Sequence, residues 1–260
     1  MIPKIIHFCW LSGDEYPELI EQCMATWKTK LPDYEFMLWD TNKFDVNSTL
    51  WTQQAFESKK YAFAADYIRL YALYKYGGIY LDTDVEIIKN FDDLLHLPYF
   101  IGLEQNEIIE AAVFGAEKGA DWVADCMSYY KDRPFIKEDG APDLLILPKI
   151  METQIEQNRK LVSLEDKELK KIETLTQDKT KLFLYPFEFF SAKNHETQEV
   201  KKTKNTYTIH HFNNSWVPKR VKVRMNLKRR LFKTFGVSVT DSLIGYSGFR
   251  TVKKIIKGDK

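Results

Sequence analysis

The stretch KYGGIYLDTDVEI, Lys75 to Ile87, puts two aspartates at the end of a short apolar run that begins at a glycine pair. The glycines are typical of a helix end, where the chain often takes a positive φ. The letters GIYLDTDVEI after the helix predict a strand. Side chains two apart on a strand face the same way, so we expect Asp82 and Asp84 to project together, with Tyr80 on the same face.

The elements around this stretch predict an α/β fold. The runs KIIHFCWL and YEFMLWD predict strands, and helices are expected over Glu18–Thr29 and Lys59–Tyr76. This alternation is typical of parallel strands flanked by helices, whose ligands bind at the carboxyl ends of the strands. The two aspartates would lie at such an end.

The rest of the chain adds further short elements. Strands are predicted at YFIGLE, AAVFGAEKG, LFLYPFEFF and TYTIHHF, and a helix is predicted over 121–131. Residues 151–181 are highly charged and predict a peripheral helical excursion. No Gly/Ser/Pro-rich linker divides the chain, so we expect one domain over 1–216, followed by a basic amphipathic segment over 217–260.

Composition limits the possible classes of protein. Of the 260 residues, 44% are hydrophobic and 29% charged, as in soluble globular proteins, and 17 Phe, 14 Tyr and 6 Trp suit a core or stacking on sugars and bases. The three cysteines fit no zinc or redox motif, which favours reduced thiols in a cytosol. We expect neither a signal peptide nor a membrane-spanning helix, because the apolar runs are too short.

The paired aspartates have two explanations. Like charges about 6.6 Å apart repel by roughly 2.5 kcal/mol at an effective dielectric constant of 20. Mg²⁺ or Mn²⁺ would offset that repulsion, since both prefer hard oxygen ligands and keep positions open for substrate phosphates. Alternatively, both groups are solvated at a loop mouth, where the repulsion falls to about 0.6 kcal/mol.

Asp66 and Arg69 lie three apart in the preceding helix, within AFAADYIRLYALYKYGG. An exposed ion pair at this spacing would contribute a few tenths of a kcal/mol. The neighbouring residues are nearly all apolar or aromatic, so a charged pair there would need buried partners. The hydroxyls of a sugar are suitable partners.

Three stretches resemble the DXD-containing sugar transferases of glycosyltransferase family 32, which include yeast-type mannosyltransferases and bacterial capsule enzymes and are related to the glucosylating clostridial toxins. The stretches are IPKIIHFCWLSG, AFAADYIRLYALYKYGGIYLDTDV and IHHFNNSW. The resemblance covers about residues 1–120 and 183–216. It implies a GT-A-like (Rossmann-like) mixed sheet flanked by helices, a nucleotide-sugar donor, Mn²⁺ or Mg²⁺, and retention of anomeric configuration.

The resemblance also implies roles for individual residues. Trp10 corresponds to the tryptophan that stacks on the nucleotide base. Asp66 and Arg69 correspond to a pair that holds donor-sugar hydroxyls and the nearby phosphate. Asp82 would contact the ribose and the shell of the ion, and Asp84 would ligate the ion directly.

Further residues come from the same strand and from IHHFNNSW. Tyr80 is expected to pack against the donor. Strand alternation sends His210 and His211 to opposite sides, and comparison with related enzymes favours His210 as the third metal ligand. Ser215 and Trp216 are expected near the diphosphate. A hydrogen-bonded structural role is the alternative for either histidine.

The acceptor side departs from the family. Many members show Gly-Pro where this chain has GAPD at 140–143. Glu104, after a predicted strand, is a candidate for the far face of the sugar, but a solvated loop glutamate is the favoured explanation. With no convincing nucleophile, we favour attack of the acceptor on the leaving-group face, with the leaving phosphate accepting its proton.

Between Lys219 and Lys233 the chain carries eight Lys or Arg residues interleaved with apolar ones. A basic amphipathic helix suits an anionic membrane surface, and therefore a lipid-linked glycan acceptor. A helix packed on the domain with a solvated basic face is the alternative. No nucleic-acid motif accompanies the charge.

The sequence thus predicts a metal-dependent retaining glycosyltransferase that moves a hexose, with UDP-hexose favoured over GDP-mannose, to a glycan acceptor in bacterial capsule or surface-polysaccharide synthesis. The expected location is the cytoplasm, peripheral on the inner face of the plasma membrane. One alternative is a haloacid-dehalogenase-type phosphatase, although Glu86 and the position of the motif in the chain disfavour it. The other is a non-catalytic glycan- or membrane-binding protein on the same fold.

Overall fold

The structure is a computed structural model that describes residues 1–213, 217 and 219–235, with the side chains of 219, 222, 233 and 235 left aside. Ser215, Trp216 and residues 236–260, which include part of the predicted basic segment, lie outside the described residues.

Nine strands and nine α-helices lie in the described part of the chain. The strands are β1 (Ile5–Cys9), β2 (Glu35–Trp39), β3 (Gly78–Leu81), β4 (Val85–Ile87), β5 (Tyr99–Leu103), β6 (Ile109–Ala116), β7 (Lys160–Ser163), β8 (Lys181–Leu184) and β9 (Thr208–His210). The helices are α1 (Glu18–Lys30), α2 (Leu50–Glu57), α3 (Tyr61–Tyr76), α4 (Asp121–Ser128), α5 (Leu147–Ile155), α6 (Asp166–Leu169), α7 (Ile172–Leu175), α8 (Phe187–Phe190) and α9 (Lys219–Phe235).

The central sheet has the strand order β2-β1-β3-β6-β5. Strand β1 pairs in parallel with both β2 and β3, whereas β6 runs antiparallel to β3 and β5. Four strands therefore point one way and β6 points the other. The predicted α/β mixed sheet flanked by helices is confirmed.

Helices cover both faces of this sheet. Helices α2, α3, α4 and α5 contribute to one buried cluster, in which Trp51 and Ile68 are fully buried. Helices α1 and α8 contribute to the other, through Trp27 and Phe190. Among the described residues, no helix combines the length and the apolar character that crossing a bilayer would need.

Three local expectations are wrong. LFLYPFEFF is a strand only up to Leu184, because Phe187–Phe190 form the helix α8. GIYLDTDVEI is not one strand: β3 ends at Leu81, and the N–H of Val85 donates to the carbonyl of Asp82 at 3.1 Å, which closes a turn. Strand β4 then leaves the central sheet and pairs with β9. Residues 151–181 are not wholly helical, because β7 pairs in parallel with β8. Each new pairing partner is distant in sequence, which is why local periodicity missed both.

The predicted glycine stop of α3 is confirmed. Gly77 and Gly78 have φ values of 67° and 112°. A Cβ at Gly77 would lie 2.7 Å from the backbone nitrogen of Lys118, and one at Gly78 would lie 2.6 Å from the carbonyl oxygen of Ile5. The pair therefore provides both the backbone conformation and the close approach that joins α3 to β3.

We expect Gly77→Ala to lower the free energy of unfolding by more than Gly119→Ala. Both glycines have similar positive φ values, 67° and 75°, so both substitutions carry backbone strain of about 1–3 kcal/mol. At Gly119 nothing lies within 4 Å of the added Cβ, whereas at Gly77 backbone must also move. Urea denaturation of the two variants measures the difference, and equal losses would contradict the packing argument.

His7 ties this junction to the sheet. It is fully buried, and its Nδ1 accepts a hydrogen bond from Trp39 Nε1 at 3.1 Å, so its Nε2 donates to the carbonyl of Gly77 at 2.8 Å. Burial lowers the pKa of His7 to about 4, against the raising effect of the bond to Gly77. The neutral imidazole is thus part of the folded structure.

We expect the free energy of unfolding to fall in acid, in part because His7 is neutral when the protein is folded. Because its folded pKa is depressed from 6.5 to about 4, its stabilisation is complete above pH 6.5 and falls as the pH drops toward 4, by up to about 3 kcal/mol. His7→Gln can keep both hydrogen bonds without titrating. Urea denaturation between pH 7 and pH 4 should show a smaller loss in this variant, and identical pH profiles would contradict the assignment.

Candidate active site

The candidate site lies at one edge of the central sheet. Trp10 follows the carboxyl end of β1, and Asp82 follows that of β3. Because β6 runs the opposite way, its first residues reach the same edge, and the N–H of Asp82 donates to the carbonyl of Ala112 at 2.9 Å. The last residue of β9, His210, arrives beside β4.

Asp82, Asp84 and His210 form a cluster that could hold a metal ion. Each offers one ligand atom, and the three atoms lie within 4.8 Å of one another. Asp84 Oδ1 and His210 Nε2 are 3.6 Å apart. Ligands about 2.1 Å from one octahedral ion lie about 3 to 4 Å apart, so this pair fits a shared divalent cation. Two carboxylates and an imidazole are suitable ligands for a divalent metal ion.

The turn after β3 aims Asp84 at this cluster. The N–H of Asn213 donates to Asp84 Oδ2 at 2.7 Å, and the N–H of His211 donates to the Asp84 carbonyl at 3.0 Å. Strand β9 and the residues after it therefore hold Asp84 in place. Asp84 is 8% exposed.

The two adjacent histidines have different partners. His210 Nδ1 lies 3.3 Å from Glu110 Oε2, while its Nε2 faces Asp84. His211 Nε2 lies 2.9 Å from Glu86 Oε2. The structure thus brings His210, the favoured ligand, to the aspartates and gives His211 a separate carboxylate.

His210 is held among carboxylates. Burial opposes its protonation, but Glu110 and Asp84 outweigh burial and raise the pKa of the imidazole to about 10. Glu110 is fully buried in β6, and its Oε1 accepts the N–H of Ala112 at 2.7 Å. Burial opposes the ionisation of Glu110, yet His210 holds its pKa below the usual value.

Arg69 joins the helix to the aspartate motif. Its Nη2 lies 3.1 Å from Asp66 Oδ1, and its Nη1 lies 3.2 Å from Asp82 Oδ1. The same Nη1 donates to the carbonyl of Ala111 at 2.8 Å. Only 7% of its side chain is exposed. The expected buried partners of the Asp66–Arg69 pair thus include Asp82 and the backbone of β6.

Burial perturbs the carboxylates around Arg69. It raises the pKa of Asp66 to about 7, against the opposing charge of Arg69. It also raises the pKa of Asp82, again against Arg69 and with the help of Asp84. Perturbed carboxylates in one cluster mark a candidate functional site.

Tyr80 supports Asp82 from within the protein. Its side chain is 1% exposed, and its hydroxyl donates to Asp82 Oδ1 at 2.8 Å. The guanidinium carbon of Arg69 lies 4.5 Å from the centre of its ring. A direct contact of Tyr80 with a donor stays a prediction.

Trp10 lies at the same edge and is half-buried. Its Nε1 donates to the carbonyl of Asp14 at 2.7 Å, and its ring lies 4.8 Å from that of Tyr16. Its stacking on a nucleotide base stays a prediction, as do the diphosphate contacts of Ser215 and Trp216, which lie outside the described residues.

The sequence analysis did not single out Glu110. It expected Glu104 to be solvated in a loop. Glu110 is a charged residue at the start of the apolar run IIEAAVFGA, which is the signal that could have singled it out. Glu104 is half-buried rather than freely solvated, and burial together with Glu110 raises its pKa to about 8.

The comparisons identify the region that contains most of this site. Residues 17–101 match the family described as a glycosyltransferase sugar-binding region containing a DXD motif. Asp66 and Arg69 fall within this match, as do the DXD residues themselves, Asp82 and Asp84. The resemblance to the DXD-containing sugar transferases is confirmed.

Curated relatives match the same part of the chain. Inositol phosphoceramide mannosyltransferase 3 of Schizosaccharomyces pombe is 37% identical over 122 residues, which are 45% of this chain and 34% of that protein. Mannosyl phosphorylinositol ceramide synthase SUR1 of Saccharomyces cerevisiae is 34% identical over 105 residues, 39% of this chain and 27% of that protein. The chain thus spans about a third or less of the length of these relatives.

Solved structures resemble the chain more distantly. The PaToxG glycosyltransferase aligns with a TM-score of 0.44 at 19% identity, covering 69% of this chain and 78% of that one. The galactosyltransferase LgtC, solved with donor and acceptor sugar analogues, aligns with a TM-score of 0.41 at 11% identity, covering 90% and 96%. Over residues 17–101, the chain is thus similar to the glycosyltransferases whose sugar-binding region contains the DXD motif.

Proposed function

We propose that this protein is a metal-dependent, retaining glycosyltransferase that moves a hexose from a nucleotide sugar to a glycan acceptor. One observation carries the proposal: Asp82, Asp84 and His210 converge within 4.8 Å at an edge of the sheet, inside or beside the region that matches the family. A cation bound there, together with the diphosphate of the donor, would offset the repulsion between the buried carboxylates of Asp82 and Asp84.

In this proposal, different residues of the site bind the cation, the donor sugar and the nucleotide base. Asp82, Asp84 and His210 hold the cation, which when bound supplies charge stabilisation to the departing diphosphate. Asp66, at the buried end of the Arg69 network, binds hydroxyls of the donor sugar. Trp10 stacks on the nucleotide base from the neighbouring strand end.

Retention of configuration would come from attack on the leaving-group face. A covalent route needs an ionised carboxylate placed against the anomeric carbon. Glu104 is the candidate, but burial and Glu110 raise its pKa to about 8, which leaves it mostly protonated at neutral pH. We therefore propose that the acceptor hydroxyl attacks while its proton passes to the leaving phosphate.

The proposed identities of the donor and the acceptor rest on analogy with similar proteins. We propose a UDP-hexose as donor and a lipid-linked glycan as acceptor, in the synthesis of a bacterial capsule or related surface polysaccharide. One curated relative is named an inositol phosphoceramide mannosyltransferase and the other a mannosyl phosphorylinositol ceramide synthase, and these names favour a hexose and a lipid-borne acceptor. Their names also make GDP-mannose the alternative donor, so the test includes both nucleotides.

We expect calorimetric titration to show that Mn²⁺ promotes binding of UDP, or of GDP, to the wild-type protein. Asp84→Asn removes one charged ligand and should abolish the Mn²⁺-dependent part of binding while the fold survives. Asp33→Asn, at an exposed position away from the site, is the matched control and should bind as the wild type does.

Two results would count against this proposal. Undiminished Mn²⁺-dependent affinity in folded Asp84→Asn would remove Asp84 from the metal site. Failure of wild-type protein to bind either nucleotide, with or without Mn²⁺, would overturn the sugar-transferase proposal and favour a phosphatase or a non-catalytic glycan-binding protein.

We further propose that α9 binds an anionic membrane surface, which would place the protein peripherally on the inner face of the plasma membrane. The helix docks on the body through Phe232, which is 5% exposed, and through Arg229, which donates to the carbonyl of His195 at 3.0 Å. Its outer face carries Val223 and Leu227, which are 68% and 51% exposed.

Three exposed arginines flank this apolar pair at helical spacing: Arg220, Arg224 and Arg230. Each basic residue near an anionic surface contributes about 1 kcal/mol, so replacing all three with Gln should weaken partitioning to phosphatidylserine-containing vesicles by about 100-fold. A sedimentation assay measures the change.

The matched control replaces three exposed lysines of the body with Gln, at Lys28, Lys30 and Lys131. This variant should partition as the wild type does. Equal losses in both variants would indicate a general charge effect, and no loss in the arginine variant would refute a membrane role for α9.

A further inference from the structure

A buried glutamate outside the matched family region lies directly behind the candidate metal ligand His210. Glu110 is fully buried in β6, and its two carboxylate oxygens have different partners. Oε1 accepts the backbone N–H of Ala112 at 2.7 Å, and Oε2 lies 3.3 Å from His210 Nδ1. A charged side chain in an otherwise apolar strand, used in this way on both oxygens, needs an explanation.

The bond from Ala112 fixes the orientation of the carboxylate. With Oε1 committed to the backbone of its own strand, Oε2 is held toward the imidazole. An ionised carboxylate can only accept, so His210 Nδ1 must carry a proton there. Nε2, which faces Asp84 at 3.6 Å, is then the ring nitrogen that can bind a cation as it gives up its own proton.

We propose that Glu110 is a positioning residue that selects the metal-binding tautomer of His210 and fixes the orientation of its ring. Carboxylates behind metal-bound histidines commonly do this, and their loss typically weakens metal affinity by 10- to 100-fold. The inference rests on the proposed function, since it requires that a divalent cation bind at Asp82, Asp84 and His210.

Glu110→Gln tests the proposal because an amide cannot accept at both ends. If its oxygen keeps the bond from Ala112, its NH₂ faces Nδ1 and favours the tautomer that carries its proton on Nε2, which blocks a metal ion. Titration of Mn²⁺ alone, followed by the electron paramagnetic resonance signal of free Mn²⁺, should show affinity lower by 10- to 100-fold.

The chain offers a matched control in the neighbouring pair. Glu86 Oε2 lies 2.9 Å from His211 Nε2, so Glu86→Gln also removes a negative charge from a glutamate–histidine pair. This pair is not part of the cluster of Asp82, Asp84 and His210. Glu86→Gln should change Mn²⁺ affinity by less than twofold.

A double-mutant cycle separates positioning from simple loss of charge. If Glu110 acts through His210, then Glu110→Gln should weaken Mn²⁺ binding in wild-type protein but have no further effect in His210→Ala. If only its charge matters, the same loss should appear in both backgrounds, and that result would overturn the proposal.

Two checks keep the outcome interpretable. Thermal unfolding in EDTA shows whether Glu110→Gln folds; if it does not, Glu110→Asp, which keeps the charge but withdraws it by one methylene, replaces it with the same expected loss. Wild-type protein that binds no Mn²⁺ would overturn the proposed metal site itself. Wild-type binding that Glu110→Gln leaves unchanged would overturn the role of Glu110 alone.

Discussion

Several carboxylates lie together at one buried edge of the sheet, and the site depends on the positive charge that compensates them. Arg69 is the central counter-charge: it contacts Asp66 on its own helix, Asp82 in the turn after β3, and the carbonyl of Ala111 in β6. An unpaired buried carboxylate would cost several kcal/mol, so the positions of α3, β3 and β6 are linked through this one guanidinium. Tyr80 adds a hydroxyl to the same oxygen of Asp82.

Asp84, the second aspartate of the motif, has different partners from Asp82. Arg69 does not contact Asp84, whose partners come instead from the segment around β9, through His210 and the N–H of Asn213. Strand β4 makes this possible by leaving the central sheet to pair with β9. The two aspartates of the motif are therefore held by different parts of the chain, which leaves a site between them where a divalent cation would complete the charge balance.

Some of this arrangement could be predicted from particular residues. Asp66 and Arg69 are three apart on an apolar helix, which correctly indicated a buried pair in need of partners. Gly77 and Gly78 correctly marked the end of α3 because few other residues accept their φ values. The turn at Asp82–Asp84 was missed, since a short apolar run followed by alternating residues has the same local pattern whether or not it changes sheets.

The sequence by itself determined the succession of strands and helices along the first part of the chain, the glycine junction and the identity of the DXD motif, because these depend on local periodicity, backbone conformation and the chemistry of adjacent residues. Only the tertiary structure decided which histidine meets the aspartates and what lies behind it. His210 is 126 residues from Asp84 and 100 from Glu110, and the pairing of β4 with β9 brings them together. Such contacts depend on how distant strands pack, and no local pattern records them.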